Sequence, residues 1–254
     1  MKRFAATVDD LLRGRLTRRE DLAAGRIEVP VRTLVLAGVF LGGLYGAAMG
    51  LFAAVRPEGT NVAQLFASAI KVPLLFLLTL VVTYPSLYVV SALFDSRLRH
   101  RETLRLLLAA MAANLALLAS LGPITAFFTL CTESYAFMVV LNVVFFALAG
   151  LVGLAFLRRA VLAVFDVGAP VAVPDDDDGP PPLDGPPRTM RATTPVSLRV
   201  FSIWLLIYGV VGAQMGWILR PFVGAPRLPF EFFRSERDSN FFEAVAKALG
   251  KLFA

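Results

Sequence analysis

Lys71 is the residue with the strongest claim to chemistry. It opens an otherwise charge-free run, Val72–Phe94, which Pro73 and Pro85 interrupt and which also carries Tyr84, Ser86 and Tyr88. A cation at the edge of so apolar a segment has two uses. It can snorkel its ammonium to water at the membrane boundary, or it can face an anion or solute. Prolines within the segment should kink or locally open the helix, and broken helices can build solute sites. Asn114, Thr125, Asn142 and Gln214 are the other polar residues at similar depth, and Gly122-Pro123 should interrupt the third apolar run. Such residues usually hydrogen-bond between helices, but Asn114, Asn142 and Gln214 together with Lys71 also define a candidate path or anion contact.

Covalent and metal chemistry find little support. The chain has one cysteine, Cys131, and one histidine, His100, at opposite ends of one apolar run. A Cys–His couple would therefore have to bridge the length of a helix. Asp175–Asp178 form a carboxylate run without the spacing or glycine turn of a calcium loop, inside a segment with five prolines at 179–187. None of the Gly-x-Ser-x-Gly, His-Glu-x-x-His or phosphate-loop patterns occurs. The sequence leads us to expect no enzyme, cofactor or metal site.

The elements that must position these residues follow from hydropathy. Hydrophobic residues make up 57% of the 254 positions and charged residues 17%, against roughly half and a quarter in soluble domains. Five charge-free windows, Thr33–Val55, Val72–Phe94, Leu106–Leu130, Tyr135–Leu157 and Val200–Leu219, reach the ~20 helical residues that cross a hydrocarbon core. Backbone groups in lipid must be satisfied internally, so each window is read as a helix. The predicted fold is all-α: a polytopic transmembrane bundle of about five spans with a C-terminal interfacial amphipathic helix.

Five regions result. Residues 1–30 form a charged leader in which Phe4, Val8, Leu11 and Leu12 recur at helical spacing. Residues 31–165 hold four spans, 166–195 a Pro/Asp-rich linker expected to be disordered, and 196–220 the fifth span. Residues 221–254 are an aromatic tail whose last helix, capped by Ser239 or Asn240, carries Phe241, Val245, Leu249 and Leu252 on one line. That tail should lie on the outer interface or cover the bundle.

The net charge of +6 is spread through loops beside apolar runs, which indicates membrane orientation and not a nucleic-acid partner. Most Lys and Arg fall in the leader, in Arg97–Arg105 and in Arg158–Arg199, so the N-terminus is predicted cytoplasmic and the C-terminus outside. The predominance of Arg over Lys, with abundant Ala, Leu, Gly and Pro, suggests a bacterial inner membrane.

Within the first window Gly38, Gly42, Gly46 and Gly50 recur every fourth residue, and the fifth window holds Gly212 and Gly216. Such faces allow close backbone approach in lipid, either within the chain or to another copy or membrane protein.

Five spans with a polar N-terminus and no catalytic set resemble the Yip-domain superfamily in architecture. Val8-Asp9-Asp10-Leu11-Leu12, Lys71-Val72-Pro73-Leu74-Leu75, Tyr84-Pro85-Ser86-Leu87-Tyr88 and the run from Gly212 through Arg220-Pro221-Phe222 to Pro229-Phe230 resemble a group of bacterial multi-span proteins. The resemblance implies a helical membrane architecture and brings no activity. The Yip motif Asp-Leu-Tyr-Gly-Pro is absent from this sequence, so no small-GTPase partner is carried over. Two functions are expected on these grounds. One is a non-enzymatic scaffold, accessory subunit or assembly factor. The other is a small-solute or ion transporter or channel.

Overall fold

The computed structural model describes residues 9–10, 13, 31–56, 61–93, 100–165, 195–224, 229–233 and 240–253. Nearly all of the leader, the acidic run and the linker lie outside these residues. The described residues form α1 (Val31–Ala54), α2 (Val62–Leu93), α3 (His100–Cys131), α4 (Tyr135–Phe165), α5 (Pro195–Ile218) and α6 (Phe241–Phe253), and include no strand.

Four helices contain stretches long and apolar enough to cross a membrane: Val31–Ala54, Val62–Ser86, Leu104–Cys131 and Tyr135–Arg159. In α5 the corresponding stretch is the shorter Leu206–Ile218. The helices outrun the charge-free windows because a single charge ends a window without ending a helix. Thus α2 begins at Val62, well before Lys71, where the side chain of Asn61 accepts a bond from the Gln64 amide at 3.3 Å. The Ser134 hydroxyl caps α4 by accepting from the Phe137 amide at 3.2 Å. Asn240, one of the two expected caps, accepts from the Glu243 amide at 3.0 Å at the start of α6.

Pro73, Pro85 and Pro123 all lie inside continuous helices. The expected interruption at Gly122-Pro123 is corrected: α3 runs through it. A proline removes one ladder bond, and packed neighbours in a bundle tolerate the carbonyl it frees. The carbonyl freed by Pro73 belongs to Ala69, and it faces Gly43 of α1.

Packing follows the small residues. α1 lies in the angle between α2 and α3, α3 also packs on α4, and α5 rests mainly on α2. Of the four long spans α3 is the most enclosed and α4 the least. Leu34, Tyr45, Phe52, Val72, Met111, Leu115, Leu118 and Met138 are all essentially buried and fill the centre. Leu36, Phe40, Phe66, Leu130 and Leu151 are more than half exposed on the outside. α6 carries a strong apolar face and packs chiefly against α4, with a lesser contact to α5. Its Phe242, Leu249 and Leu252 stay exposed, and Lys247 pairs with Glu243 at 2.7 Å one turn away.

Candidate functional site

The glycine row of α1 is used within the chain. A Cβ at Gly38 would meet Met111 and Leu115 of α3 at 3.1 and 3.3 Å. One at Gly42 would meet Leu115 at 3.1 Å and Pro73 Cα at 3.3 Å. One at Gly46 would overlap the Ser68 carbonyl, and one at Gly50 would sit 2.6 Å from Leu65 Cα. The row thus turns from α3 onto the backbone of α2, where no larger side chain fits. Gly153 of α4, not singled out from the sequence, receives the Asn114 amide of α3 so closely that a Cβ would overlap it.

Lys71 is fully buried. The snorkelling expectation is therefore corrected: its ammonium turns inward and donates to the Pro221 carbonyl at 2.9 Å. It also lies 4.7 Å and 5.7 Å from the ring centres of Phe232 and Phe233. Two features cause this. α2 continues for nine residues beyond Lys71 toward its first end, and the chain after α5 folds back over the side chain. Carbonyl dipoles and aromatic faces then supply the negative potential that water would have supplied.

The residues after α5 form a hook. Gln64 Nε2 donates to the Pro221 and Phe222 carbonyls at 3.0 and 3.1 Å and to Ser68 Oγ at 3.1 Å. The Ser68 hydroxyl donates to the Phe222 carbonyl. Gly224 has a φ of 73°, a left-handed conformation, and a Cβ there would meet Gln64 at 2.6 Å and Ala53 at 2.9 Å. Both conformation and space call for glycine at this position. Val223 is buried, and the Phe222 ring lies 6.4 Å from that of Phe146 on α4. Arg220 stacks on Trp217 at 3.6 Å. Sequence reasoning missed Gln64 and Ser68. Their signal was spacing, because Gln64, Ser68 and Lys71 fall on one helix face at i, i+4 and i+7.

That face continues along α2. Thr79 and Thr83 are buried and return their hydroxyl protons to the Leu75 and Thr79 carbonyls at 2.8 and 2.6 Å. The Ser86 hydroxyl donates to the Thr83 carbonyl at 2.7 Å and accepts from Trp204 Nε1 at 3.0 Å. α5 runs beside this line in the opposite direction. Trp204 pairs with Ser86, Gly212 lies beside Thr79, Gly216 beside Leu75, and the hook meets Lys71, Ser68 and Gln64.

No family model, curated protein or solved structure matches this chain.

The remaining candidates lie apart from Lys71. Tyr45 of α1 donates its hydroxyl to Asn142 Oδ1 at 2.7 Å, and Asn142 Nδ2 donates to the Met138 carbonyl at 2.8 Å. This buried pair ties α1 to α4. Thr125 is buried and donates back to the Leu121 carbonyl at 3.4 Å. Gln214 is half-buried on α5, and Lys71 bonds to the hook instead of to it. Arg56 fastens the α1–α2 turn to the C-terminal end of α3, donating to the Thr129 carbonyl at 2.9 Å and to the Thr132 carbonyl. A cation there complements the negative end of the helix.

Cys131 is exposed at the last residue of α3, and His100 is the first residue of the same helix. At 1.5 Å per residue they are ~46 Å apart, which rules out a Cys–His couple within the chain. Among the described residues no three His, Cys, Asp or Glu side chains cluster as a metal site.

Proposed function

We propose that this chain is a five-span membrane protein, N-terminus cytoplasmic and C-terminus outside, that acts through helix–helix contacts as a scaffold, accessory subunit or assembly factor. The observation carrying this reading is the use made of its buried polar groups. Lys71, Gln64, Ser68, Tyr45 and Asn142 are all engaged in joining one segment of the bundle to another. Groups committed in this way hold helices in register, and the apolar exterior is left for lipid and for neighbouring membrane proteins.

The fifth crossing is supported by the antiparallel register of α5 on α2. The helix keeps that register from Ser86 to Leu75, 11 residues or ~17 Å at helical rise, and the hook carries the chain on to Gln64, so helix and hook together follow α2 over ~33 Å, close to the ~30 Å of a hydrocarbon core. A chain that follows a spanning neighbour from one end to the other crosses with it. Exposed Phe242, Leu249 and Leu252 on α6, near Lys247 and Lys251, suit the membrane–water interface.

The scaffold reading is tested by native electrophoresis of membranes solubilised in mild detergent. The chain should run in an assembly larger than the purified polypeptide in the same detergent. Identical migration of the two would sink the reading.

One observation favours a transporter or channel as a second reading. The polar face of α2 runs from Gln64 through Lys71 to Ser86, and α5 lies against it. The test is flux into liposomes containing the wild-type chain or Lys71→Ala. Wild-type flux that Lys71→Ala reduces supports a path, and no flux from the wild type eliminates it.

A further inference from the structure

The seams of the bundle differ in tightness. Between α1 and α2, a Cβ at Gly46 or Gly50 would run into backbone. Between α2 and α5, a Cβ at Gly212 would rest 3.6 Å from the Thr79 methyl, and one at Gly216 4.0 Å from Leu75 Cδ1. Both are ordinary contacts. Gly209 has nothing within 4 Å of the same position. α5 also has only a minor contact with α4 and α6 beyond its contact with α2.

We propose that α5 is a movable wall of the bundle and that the hook after it is the latch closing its outer end against α2, with Lys71 as the catch. This rests on the reading of α5 as a fifth span. In lipid, parting two apolar helix faces costs little beyond their packing, because acyl chains replace the lost neighbour. The loosely packed α2–α5 seam therefore has little hold of its own. What holds it is polar: the Trp204–Ser86 bond at its inner end and, at its outer end, Lys71, Ser68 and Gln64 donating to the Pro221 and Phe222 carbonyls with the Phe232 and Phe233 rings lying over the ammonium. The catch is a full charge held by neutral dipoles and ring faces, and no carboxylate pairs with Lys71 among the described residues. Water at the interface replaces such bonds at small net cost. The latch can thus release while α1, α2 and α3 stay packed. Release would uncover the cation and two neutral donors at the outer end of the seam.

The test uses the full chain in lipid nanodiscs, with Cys131→Ser as background and single reporter cysteines read by a membrane-impermeant maleimide. Val223→Cys reports the hook. Thr129→Cys, buried at the same end of α3 but outside the latch, reports opening of the bundle. With Lys71 present, Val223→Cys should react about tenfold faster than Thr129→Cys, the signature of local opening. Lys71→Met should accelerate Val223→Cys by about a further tenfold and leave Thr129→Cys unchanged. Equal rates at the two reporters would overturn the latch, as would a Lys71→Met effect on both or on neither. Should Lys71→Met fail to insert, Ser68→Ala carries the same comparison with a smaller acceleration, roughly threefold for one lost bond. Failure of the span reading is seen separately: in sealed proteoliposomes Cys131 and Val223→Cys would then react from opposite faces.

Discussion

Lys71 shows how one side chain decides between two readings of the same sequence. A lysine at the edge of an apolar run can snorkel to water, but α2 runs nine residues past Lys71 and its ammonium donates to the Pro221 carbonyl, 2.9 Å away. Replacing Lys71 with alanine removes the bond and the ring contacts together. The Pro221 carbonyl keeps Gln64 as a donor, so the expected loss is moderate, about 1–2 kcal/mol, read as a lower Tm in detergent. An unchanged Tm would show that the hook holds without its cation. The Tyr45–Asn142 pair gives a cleaner measurement. Tyr45→Phe leaves Asn142 Oδ1 without its donor and should cost about 1 kcal/mol. Asn142→Leu should cost less in the Tyr45→Phe background than alone, and additive losses would deny the coupling.

Among the helices, glycine spacing alone does not rank the seams. The rows in α1 and α5 look alike as sequence, but only the first is pressed against backbone. Gly46→Leu should abolish folding or lower stability by about 3 kcal/mol or more, because the Ser68 carbonyl cannot move aside as a flexible side chain would. Gly212→Ala should be neutral or stabilising by up to about 1 kcal/mol, since a methyl fits and alanine favours helix. Thermal unfolding of both variants in one detergent decides the ranking. Comparable losses in the two would show equally tight seams. The same contrast is why α5, and not α1, is the candidate moving part.

For the molecule entire, the ends of the helices sort into two groups. The α1–α2 turn, the α3–α4 turn and the hook share one end: Arg56 reaches Thr129 and Thr132, and Gly224 packs on Ala53. With a cytoplasmic N-terminus that end is outside. Cys131 is the sole cysteine of the chain and is exposed at this end, so the wild-type protein already carries its own topology probe. An impermeant maleimide added to intact cells should label it without permeabilisation. Labelling only after the membrane is opened would invert the orientation.

Much of the architecture was legible without coordinates. Long charge-free runs read as helices because peptide groups placed in lipid would have no other partners, and the period of four in Gly38–Gly50 marked a face that packs closely on α2 and α3. The Asn240 cap was readable because its side-chain oxygen satisfies an amide three residues on. The destination of Lys71, the roles of Gln64 and Ser68, and the partner of Asn142 were not. Each depends on a contact with a residue far along the chain, from Tyr45–Asn142 to Lys71–Pro221, and spacing within one helix carries no information about which distant segment returns to it. Composition and periodicity settle which stretches are helical and which faces are small or polar. Which face meets which neighbour, how tightly, and therefore which helix is free to move, is settled only when the helices are packed.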